Sequence, residues 1–135
     1  MFTGIITGIG RIAAAEPLGA LPAHDRLGGH IVSGHVDGIG EVTHFAPVGE
    51  SWELRVRAPR SLAQYLTYKG SIALNGVSLT VNRVDDQAEG CEFSINLIPH
   101  TLVQTTLGTL ARGTRVNLEI DLIARYVARM LGKSD

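Results

Sequence analysis

The alternation of apolar and polar side chains is the pattern that most constrains the fold of this chain. It runs through four segments, whose apolar residues are Trp52, Leu54, Val56 and Ala58; Val77, Leu79 and Val81; Phe93, Ile95 and Leu97; and Val116, Leu118 and Ile120. Successive side chains of a β-strand point to opposite faces, so each segment is predicted to be a half-buried strand. The polar residues between them, such as Thr80 and Glu119, are then placed on the opposite face.

Turn signals separate these segments and suggest how they connect. They are Val48-Gly49-Glu50, Asn75-Gly76, Asp85-Asp86 and Arg112-Gly113. Asn-Gly between two alternating runs is a strong signal for a β-hairpin. Adding residues 31–45 and 71–75 as strands gives about six strands, which predicts a small antiparallel barrel or sandwich. A barrel is preferred because closure removes exposed sheet edges.

Three helices are predicted between and after the strands. Residues 60–67 follow Pro59, and residues 102–107 follow Thr101, which is predicted to be the N-cap. The last helix carries an apolar stripe at helical spacing, made of Leu122, Ile123, Tyr126, Val127, Met130 and Leu131. Such a stripe has to dock on a neighbouring subunit or, as the commoner outcome, on the chain's own barrel.

Composition excludes several classes of function. The chain has 12 Lys and Arg against 13 Asp and Glu in 135 residues and no basic run, which argues against nucleic acid as a partner. No apolar stretch approaches the roughly 18 residues of a membrane span, and the N-terminus lacks a signal-peptide pattern. Cys91, the single cysteine, suits a reducing compartment and has no basic neighbour that would make it a nucleophile. We therefore expect a cytoplasmic protein without membrane contact.

Two histidines raise the question of a metal site. His30 and His35 are five residues apart, so they point to opposite faces of a strand and lie about 140° apart on a helix. We therefore expect no shared metal, and a structural role for His30.

The opening ten residues are repeated thirty residues later. MFTGIITGIG at 1–10 aligns with IVSGHVDGIG at 31–40, and a Pro- and Gly-containing stretch that is typical of a linker follows the first copy. The first copy is either an extra strand on the barrel edge or the first strand of a preceding barrel. The closeness of the copy favours the second interpretation.

Four longer motifs resemble the second barrel of the riboflavin synthase alpha-chain family in order and spacing. They are HIVSGHVDGIGEV, YKGSIALNGVSLTVNRV, FSINLIPHTLVQTTLG and GTRVNLEID, and MFTGI resembles the opening of that family's first barrel. The resemblance implies an all-β fold, a six-stranded antiparallel Greek-key barrel with short helices and a C-terminal helix. Family members carry two tandem barrels. Residues 1–20 are therefore interpreted as a remnant opening strand of a first lumazine-binding barrel plus linker, and residues 21–135 as a lumazine-binding barrel with its C-terminal helix.

The resemblance also implies an activity. Riboflavin synthases convert two molecules of 6,7-dimethyl-8-ribityllumazine into riboflavin and 5-amino-6-ribitylaminouracil, without metal or organic cofactor. The protein holds two lumazines face to face, supplies proton donors and acceptors, and excludes water. In the family, the reacting pair lies between the first barrel of one subunit and the second barrel of another within a trimer, so a single barrel would act as a homo-oligomer, for example a dimer. The alternatives are a non-catalytic lumazine or flavin carrier and a barrel kept only for assembly.

The same resemblance assigns the site residues. The catalytic set is His35 as proton carrier, Ser33, and Asp121, whose simpler role is to cap the last helix. Without the resemblance, Ser78, Thr80 and Lys69 would be ordinary solvated side chains, and residues 97–102 a strand-to-helix corner rather than a clamp for the heterocycle. The complete binding set is Gly4, Ile5, Ile6, His35, Val36, Asp37, Lys69, Ser78, Leu79, Thr80, Leu97, Ile98, Pro99, His100, Thr101 and Leu102.

Overall fold

A single antiparallel sheet of seven strands forms the body of the structure, a computed structural model that describes residues 30–133. The strands are β1 Gly38–Val48, β2 Ser51–Pro59, β3 Ser71–Leu74, β4 Val77–Thr80, β5 Arg83–Gln87, β6 Gly90–Leu97 and β7 Arg115–Ile120. The helices are α1 Arg60–Ala63, α2 Pro99–Gln104 and α3 Leu122–Met130, with a short 3-10 helix at Thr106–Thr109. In the sheet the strands follow the order β4-β3-β7-β1-β2-β6-β5.

The sheet curls so that its two ends approach each other. β4 and β5 lie at opposite ends of the strand order but are consecutive in the chain. At the corner between them, the Asn82 N–H donates a hydrogen bond of 2.8 Å to the Ser94 carbonyl on β6. β4 also contacts β6 directly. The predicted all-β antiparallel class with short helices and a C-terminal helix is therefore confirmed.

The strand count is seven, because the expected turn at Asp85-Asp86 is in fact part of β5. Asp85 pairs with Glu92 and Asp86 pairs with Cys91 on β6. Two acidic residues opposite each other would repel, but each has its own partner. Arg83 lies 2.8 Å from the Asp85 carboxylate, and the Thr43 hydroxyl donates to Glu92 at 2.8 Å. The other predicted turns are correct, including Asn75-Gly76, which connects β3 to β4.

The inner face of the curled sheet carries the core that the alternation predicted. Its largest fully buried side chains are Phe93, Leu54, Ile72, Leu74, Ile95, Leu97, Leu107, Leu118, Val42, Val56, Val81 and Val116. Burying each such side chain contributes about 1.5–3 kcal/mol. Cys91 belongs to the same core, and its burial together with the nearby charge of Asp86 raises the pKa of its thiol to about 11. It is a structural strand residue, as predicted.

Two predicted helices differ in extent from the structure. α1 ends at Ala63 instead of residue 67. α2 begins at Pro99 with Ile98 as N-cap, so the prediction that Thr101 caps it was wrong, and Thr101 is buried within the helix. Proline explains the early start, because its fixed φ and missing N–H suit the first position of a helix.

The apolar stripe of α3 is exposed instead of packed on the barrel. The exposed fractions reach 63% for Ile123, 64% for Tyr126 and 85% for Met130, and Ala128 is the one buried residue of the helix. The expectation that this helix packs against its own barrel was therefore wrong. Within residues 30–133, no helix combines the length and the apolar character that crossing a membrane requires.

Candidate functional site

Three strands of the sheet present a polar row on their outer face. In the strand register Ala73 on β3 pairs with Ser78 on β4 and with Glu119 on β7. The neighbours of these residues, such as Ile72 and Leu118, belong to the core on the inner face. Since side chains alternate along a strand, Ser78, Ala73 and Glu119 form one row across the outer face.

A second polar row lies beside the first. Ser71 on β3 pairs with Thr80 on β4. Ile72 pairs with Ile120, the last residue of β7, and Asp121 follows Ile120 at the same end of the sheet as Ser71, which precedes Ile72. The two rows together bring Ser78, Thr80 and Asp121 onto one face, although more than forty residues separate Thr80 from Asp121 in the sequence.

Residues 30–37, which we call the strap, cross this face without forming a strand. At one end, the His30 Nδ1 and the Ser78 Oγ lie 2.6 Å apart, a hydrogen bond whose donor depends on the histidine tautomer. The Ser33 N–H donates to the Glu119 Oε1 at 2.7 Å. The predicted structural role of His30 agrees with its contact to Ser78. Its Nε2 is buried and has no hydrogen-bond partner in the part of the chain that the structure describes.

The far end of the strap is fixed by Asp37. Its N–H donates to the Leu118 carbonyl at 2.8 Å, and its Oδ2 accepts from the Ile120 N–H at 2.8 Å. Its Oδ1 forms an ion pair with Arg125 of α3. Asp37, predicted to contact substrate, thus has its carboxylate engaged in joining the strap, β7 and α3.

His35 and Val36 lie at the exposed part of the strap. Gly34 has a φ of 78°, a conformation that glycine adopts without strain, and it lies between the anchored Ser33 and His35. The chain therefore changes direction there and leaves the His35 side chain exposed. Ser33, predicted to be catalytic, has its N–H bound to Glu119 and its hydroxyl 3.4 Å from the same carboxylate oxygen.

Lys69 approaches the second row from the loop before β3. Its φ of 62° is unusual for a residue with a side chain, and its N–H donates to the Val81 carbonyl at 2.7 Å. That bond holds the loop against the end of β4. The exposed ammonium lies 5.5 Å from the centroid of the Tyr68 ring, a cation–π contact.

The predicted clamp at residues 97–102 is split between core and surface. Leu97 is 1% exposed and Thr101 is 6% exposed, so both residues are almost wholly buried. Leu102 and the similarly predicted Leu79 pack against the core. Pro99 and His100 have exposed side chains, and Ile98 is half-buried, with its carbonyl accepting from the Thr101 N–H at 3.0 Å.

Asp121 caps α3, as its simpler interpretation predicted. Its Oδ1 accepts from the Ile123 N–H at 3.1 Å. A carboxylate has a second oxygen and further lone pairs, so the cap leaves acceptor capacity for another group. Capping and a contact with substrate are therefore compatible for this residue.

Three residues of the site, namely Glu119, Ala73 and Ser71, were missed by the sequence prediction. Glu119 was placed on the solvated face of its strand, but it is 6% exposed because the strap covers it. Ala73 is 1% exposed although its side chain belongs to the outer row. The motif NLEID contains the signal for the first, an acidic residue between apolar ones, but alternation alone cannot distinguish a solvated carboxylate from a covered one. Gly4, Ile5 and Ile6 lie outside the described residues.

Neither a group of metal ligands nor the groove beside α1 is found on this face of the described residues. Within the described range, no three His, Cys, Asp or Glu side chains are grouped as metal ligands. A groove of about 710 Å³ lies at the opposite end of β6, between α1 and the β5–β6 hairpin, and it is lined by Arg60, Ser61, Ala63, Gln64, Asp86, Gln87 and Gly90. None of these residues belongs to the predicted site.

The chemistry available on the outer face is that of hydrogen bonding and proton transfer. Hydroxyls from Ser71, Ser78 and Thr80 each offer one donor and two acceptor lone pairs, and Asp121 adds a carboxylate. Such an array suits a polyhydroxylated chain. His35 is exposed on the strap that crosses this face, and its imidazole has one nitrogen that can donate a hydrogen bond and one that can accept.

Comparison with known proteins identifies the family. The model of the lumazine binding domain matches residues 33–121. A riboflavin synthase of Actinobacillus pleuropneumoniae is 39% identical over 130 residues, covering 94% of this chain and 59% of that protein, and one of Mycobacterium bovis is 50% identical over 107 residues, covering 78% and 52%. A crystal structure of LumP complexed with riboflavin superimposes with a TM-score of 0.64 at 25% identity, covering 71% of this chain and 50% of that one.

The extent of these matches agrees with a single barrel. The chain spans between 47% and 59% of the length of the curated relatives that it matches. The matched region includes residues 33–37 of the strap, all seven strands and Asp121. The chain belongs to the lumazine-binding family that includes the riboflavin synthases.

Proposed function

We propose that the outer face of β4, β3 and β7 binds 6,7-dimethyl-8-ribityllumazine or riboflavin. The observation that carries this proposal is the convergence of Ser78, Thr80 and Asp121 in two adjacent rows of one face. The ribityl chain has several hydroxyl groups, and the hydroxyls and carboxylate of these rows match it in donors and acceptors. LumP, a neighbour in fold, binds riboflavin.

Ser78 can serve the ligand and the strap together. Its bond with His30 uses one of the three hydrogen-bonding positions of the hydroxyl, which leaves two for a ligand. In this proposal the backbone groups of the exposed corner that follows β6, at Pro99 and His100, read the polar edge of the heterocycle. Lys69 approaches from the loop side and supplies a positive charge to a ring carbonyl or a sugar hydroxyl.

We propose further that the chain acts as a riboflavin synthase when two copies bring their outer faces together. The reaction moves a four-carbon unit from one lumazine to the other, so the acceptor becomes riboflavin and the donor becomes 5-amino-6-ribitylaminouracil. One substrate is oxidised and the other reduced, and no external electron acceptor is required. His35 and Asp121 would carry protons at the exposed edge, and orientation of the two rings would supply much of the rate.

Self-association would use the exposed stripe of α3. Ile123, Tyr126 and Met130 give this helix a wide apolar face in water, a feature that marks an interaction surface. In this proposal the occupant is the same helix of a second or third copy. Ile123→Glu combined with Tyr126→Glu should produce monomers in sedimentation velocity, whereas Arg129→Glu on the opposite side should not. A monomeric unsubstituted chain at tens of micromolar would contradict this step.

One experiment separates the candidate functions. The purified protein is incubated with the lumazine, riboflavin formation is followed by absorbance, and lumazine binding by fluorescence. Product formation supports the synthase. Binding without product supports a carrier, the second candidate, which is favoured by the match to about half of the relatives' length. Neither binding nor product would overturn both functions and leave a barrel for assembly.

Two further proposals concern the whole chain. Residues 1–20 are interpreted as the opening strand of a first lumazine-binding barrel with its linker, supported by the repeat between 1–10 and 31–40. A cytoplasmic location agrees with a single cysteine that lies buried in the core.

A further inference from the structure

We propose that Glu119 and Ala73 are positioning residues, which hold the strap against the outer face and so fix the distance between His35 and the hydroxyl rows. This inference rests on the proposed lumazine site, because it assigns the residues that shape that site. Glu119 is a buried carboxylate, and none of the ion pairs within residues 30–133 includes it.

The strap has the length needed to bridge three strands. His30 bonds to Ser78 on β4, and Ser33 bonds to Glu119 on β7, with β3 between them. Neighbouring strands lie about 4.8 Å apart, so the bridge spans roughly 9.6 Å. Three extended residues reach at most about 10–11 Å. The segment from His30 to Ser33 is therefore long enough to cross β3 between its two anchors.

Ala73 lies in the row beneath this crossing. Its neighbours in β3, Ile72 and Leu74, are part of the core, whereas Ala73 belongs to the opposite face and yet is only 1% exposed. A residue on the outer face is buried only when something covers it, and the strap is anchored on both sides of it. In this proposal, a side chain larger than the methyl group of Ala73 would push the strap away from the sheet.

Glu119 supplies the anchor on the N-terminal side of His35, and Asp37 supplies the one on the C-terminal side. Its Oε1 accepts from the Ser33 N–H at 2.7 Å, a charge-assisted bond. Gly34 comes next, with the left-handed conformation that turns His35 outward. One residue, Gly34, separates the bonded Ser33 amide from His35, so losing the bond releases the N-terminal side of the segment that carries His35 while Asp37 still holds its C-terminal side.

Substitutions at Glu119 distinguish positioning from a bulk structural role. Glu119→Gln keeps an acceptor oxygen for the Ser33 amide and removes the charge, whereas Glu119→Ala removes the acceptor. Asn117→Ala, an exposed position on the same face of β7, is the matched control. The measurements are the lumazine dissociation constant by fluorescence titration, amide hydrogen exchange at Ser33 by NMR, and the melting temperature.

We expect Glu119→Ala to weaken lumazine binding about tenfold and to speed exchange at Ser33 about tenfold, with Gln recovering most of both losses and the control unchanged. Ala73→Val should reproduce both effects with Glu119 intact, and it keeps the test open if Glu119→Ala does not fold. Fast exchange at Ser33 with unchanged affinity would overturn the positioning role, as would a Gln variant as weak as the Ala variant.

The same data separate this inference from the proposed function. If the unsubstituted protein binds no lumazine, the proposed function fails, and the positioning role fails with it, because there is no ligand to position. The exchange rates at Ser33 still report whether Glu119 anchors the strap. If lumazine binds but Glu119→Ala and Ala73→Val leave its affinity unchanged, only the positioning role is refuted.

Discussion

Substitutions of Asp121 can distinguish its role as the helix cap of α3 from its proposed contact with substrate, because the two roles respond differently to loss of the oxygen and loss of the charge. Asp121→Ala removes the oxygen that accepts from the Ile123 N–H at 3.1 Å. Losing an N-cap costs about 1 kcal/mol, within a range of about 0.5–2 kcal/mol. Asp121→Asn keeps the oxygen and loses the charge, whose interaction with the helix dipole contributes about 0.3–1 kcal/mol.

The loss should appear locally in α3. One helix residue, Ala128, is buried, so the helix can fray without opening the barrel. A change of about 1 kcal/mol corresponds to about a fivefold change in an opening equilibrium, since RT is about 0.59 kcal/mol. We therefore expect the Ile123 amide to exchange about fivefold faster in Asp121→Ala, and less than fivefold faster in Asp121→Asn, while the urea midpoint of the barrel changes little.

Ligand binding and turnover then test the second role. If Asp121 contacts substrate through its charge, Asp121→Asn should reduce riboflavin formation, or lumazine affinity in a carrier, far more than it accelerates exchange. Equal exchange rates in Asp121→Ala and the unsubstituted chain would refute the cap. An Asn variant with full activity and affinity would refute the contact with substrate and leave Asp121 as a cap alone.

Three further outcomes follow from the described geometry. Ser78→Ala combined with Thr80→Ala should weaken lumazine binding roughly tenfold and leave the circular dichroism spectrum unchanged, since each hydrogen bond contributes about 0.5–1.5 kcal/mol; unchanged affinity would remove both residues from the site. Gly90→Ala would put a Cβ against the Ala58 carbonyl oxygen, well inside van der Waals contact. We expect the free energy of unfolding in urea to fall by about 1–3 kcal/mol. An unchanged urea midpoint would contradict the close approach of β2 and β6. The pKa of the Cys91 thiol is raised from 9.0 to about 11 in the folded state. The protonated thiol therefore contributes its full stabilisation below about pH 9, and this stabilisation is lost as the pH rises toward about 11. Cys91→Ala should lose less stability across that interval, and equal pH dependence of the unfolding free energy in the two proteins would contradict the shift.

The strands were predictable from sequence because their alternation reports directly which face is buried. Residues 52–58 show this, with Leu54, Val56 and Ala58 buried and Arg57 exposed. β5 was not predictable in the same way. Asp85 and Asp86 have low strand propensity, and pairing with β6 together with the Arg83 contact overrides it. Such tertiary compensation has no counterpart in the local pattern.

The candidate site shows a different limit. The resemblance to a family named Ser78, Thr80 and Asp121, and the register brings them to one face. The resemblance did not name Glu119. The alternation along β7 could not identify this residue either, because it does not show that a segment more than eighty residues earlier in the chain covers Glu119. The exposed stripe of α3 was misjudged for a similar reason. Helical spacing reveals an apolar face but carries no information about which surface accepts it.

Trp52, near the start of β2, provides an intrinsic fluorescence probe. Trp52 is the only tryptophan of the chain, its ring centroid lies 4.7 Å from that of Phe45, and in the sheet it pairs with Leu97. Intrinsic emission therefore arises from one indole, located where β6 leads into Pro99 and His100. Lumazines and flavins absorb in the near ultraviolet, so a molecule bound at this corner would quench the indole by resonance energy transfer. Ligand occupancy can thus be followed in the unlabelled protein, with no reporter group attached.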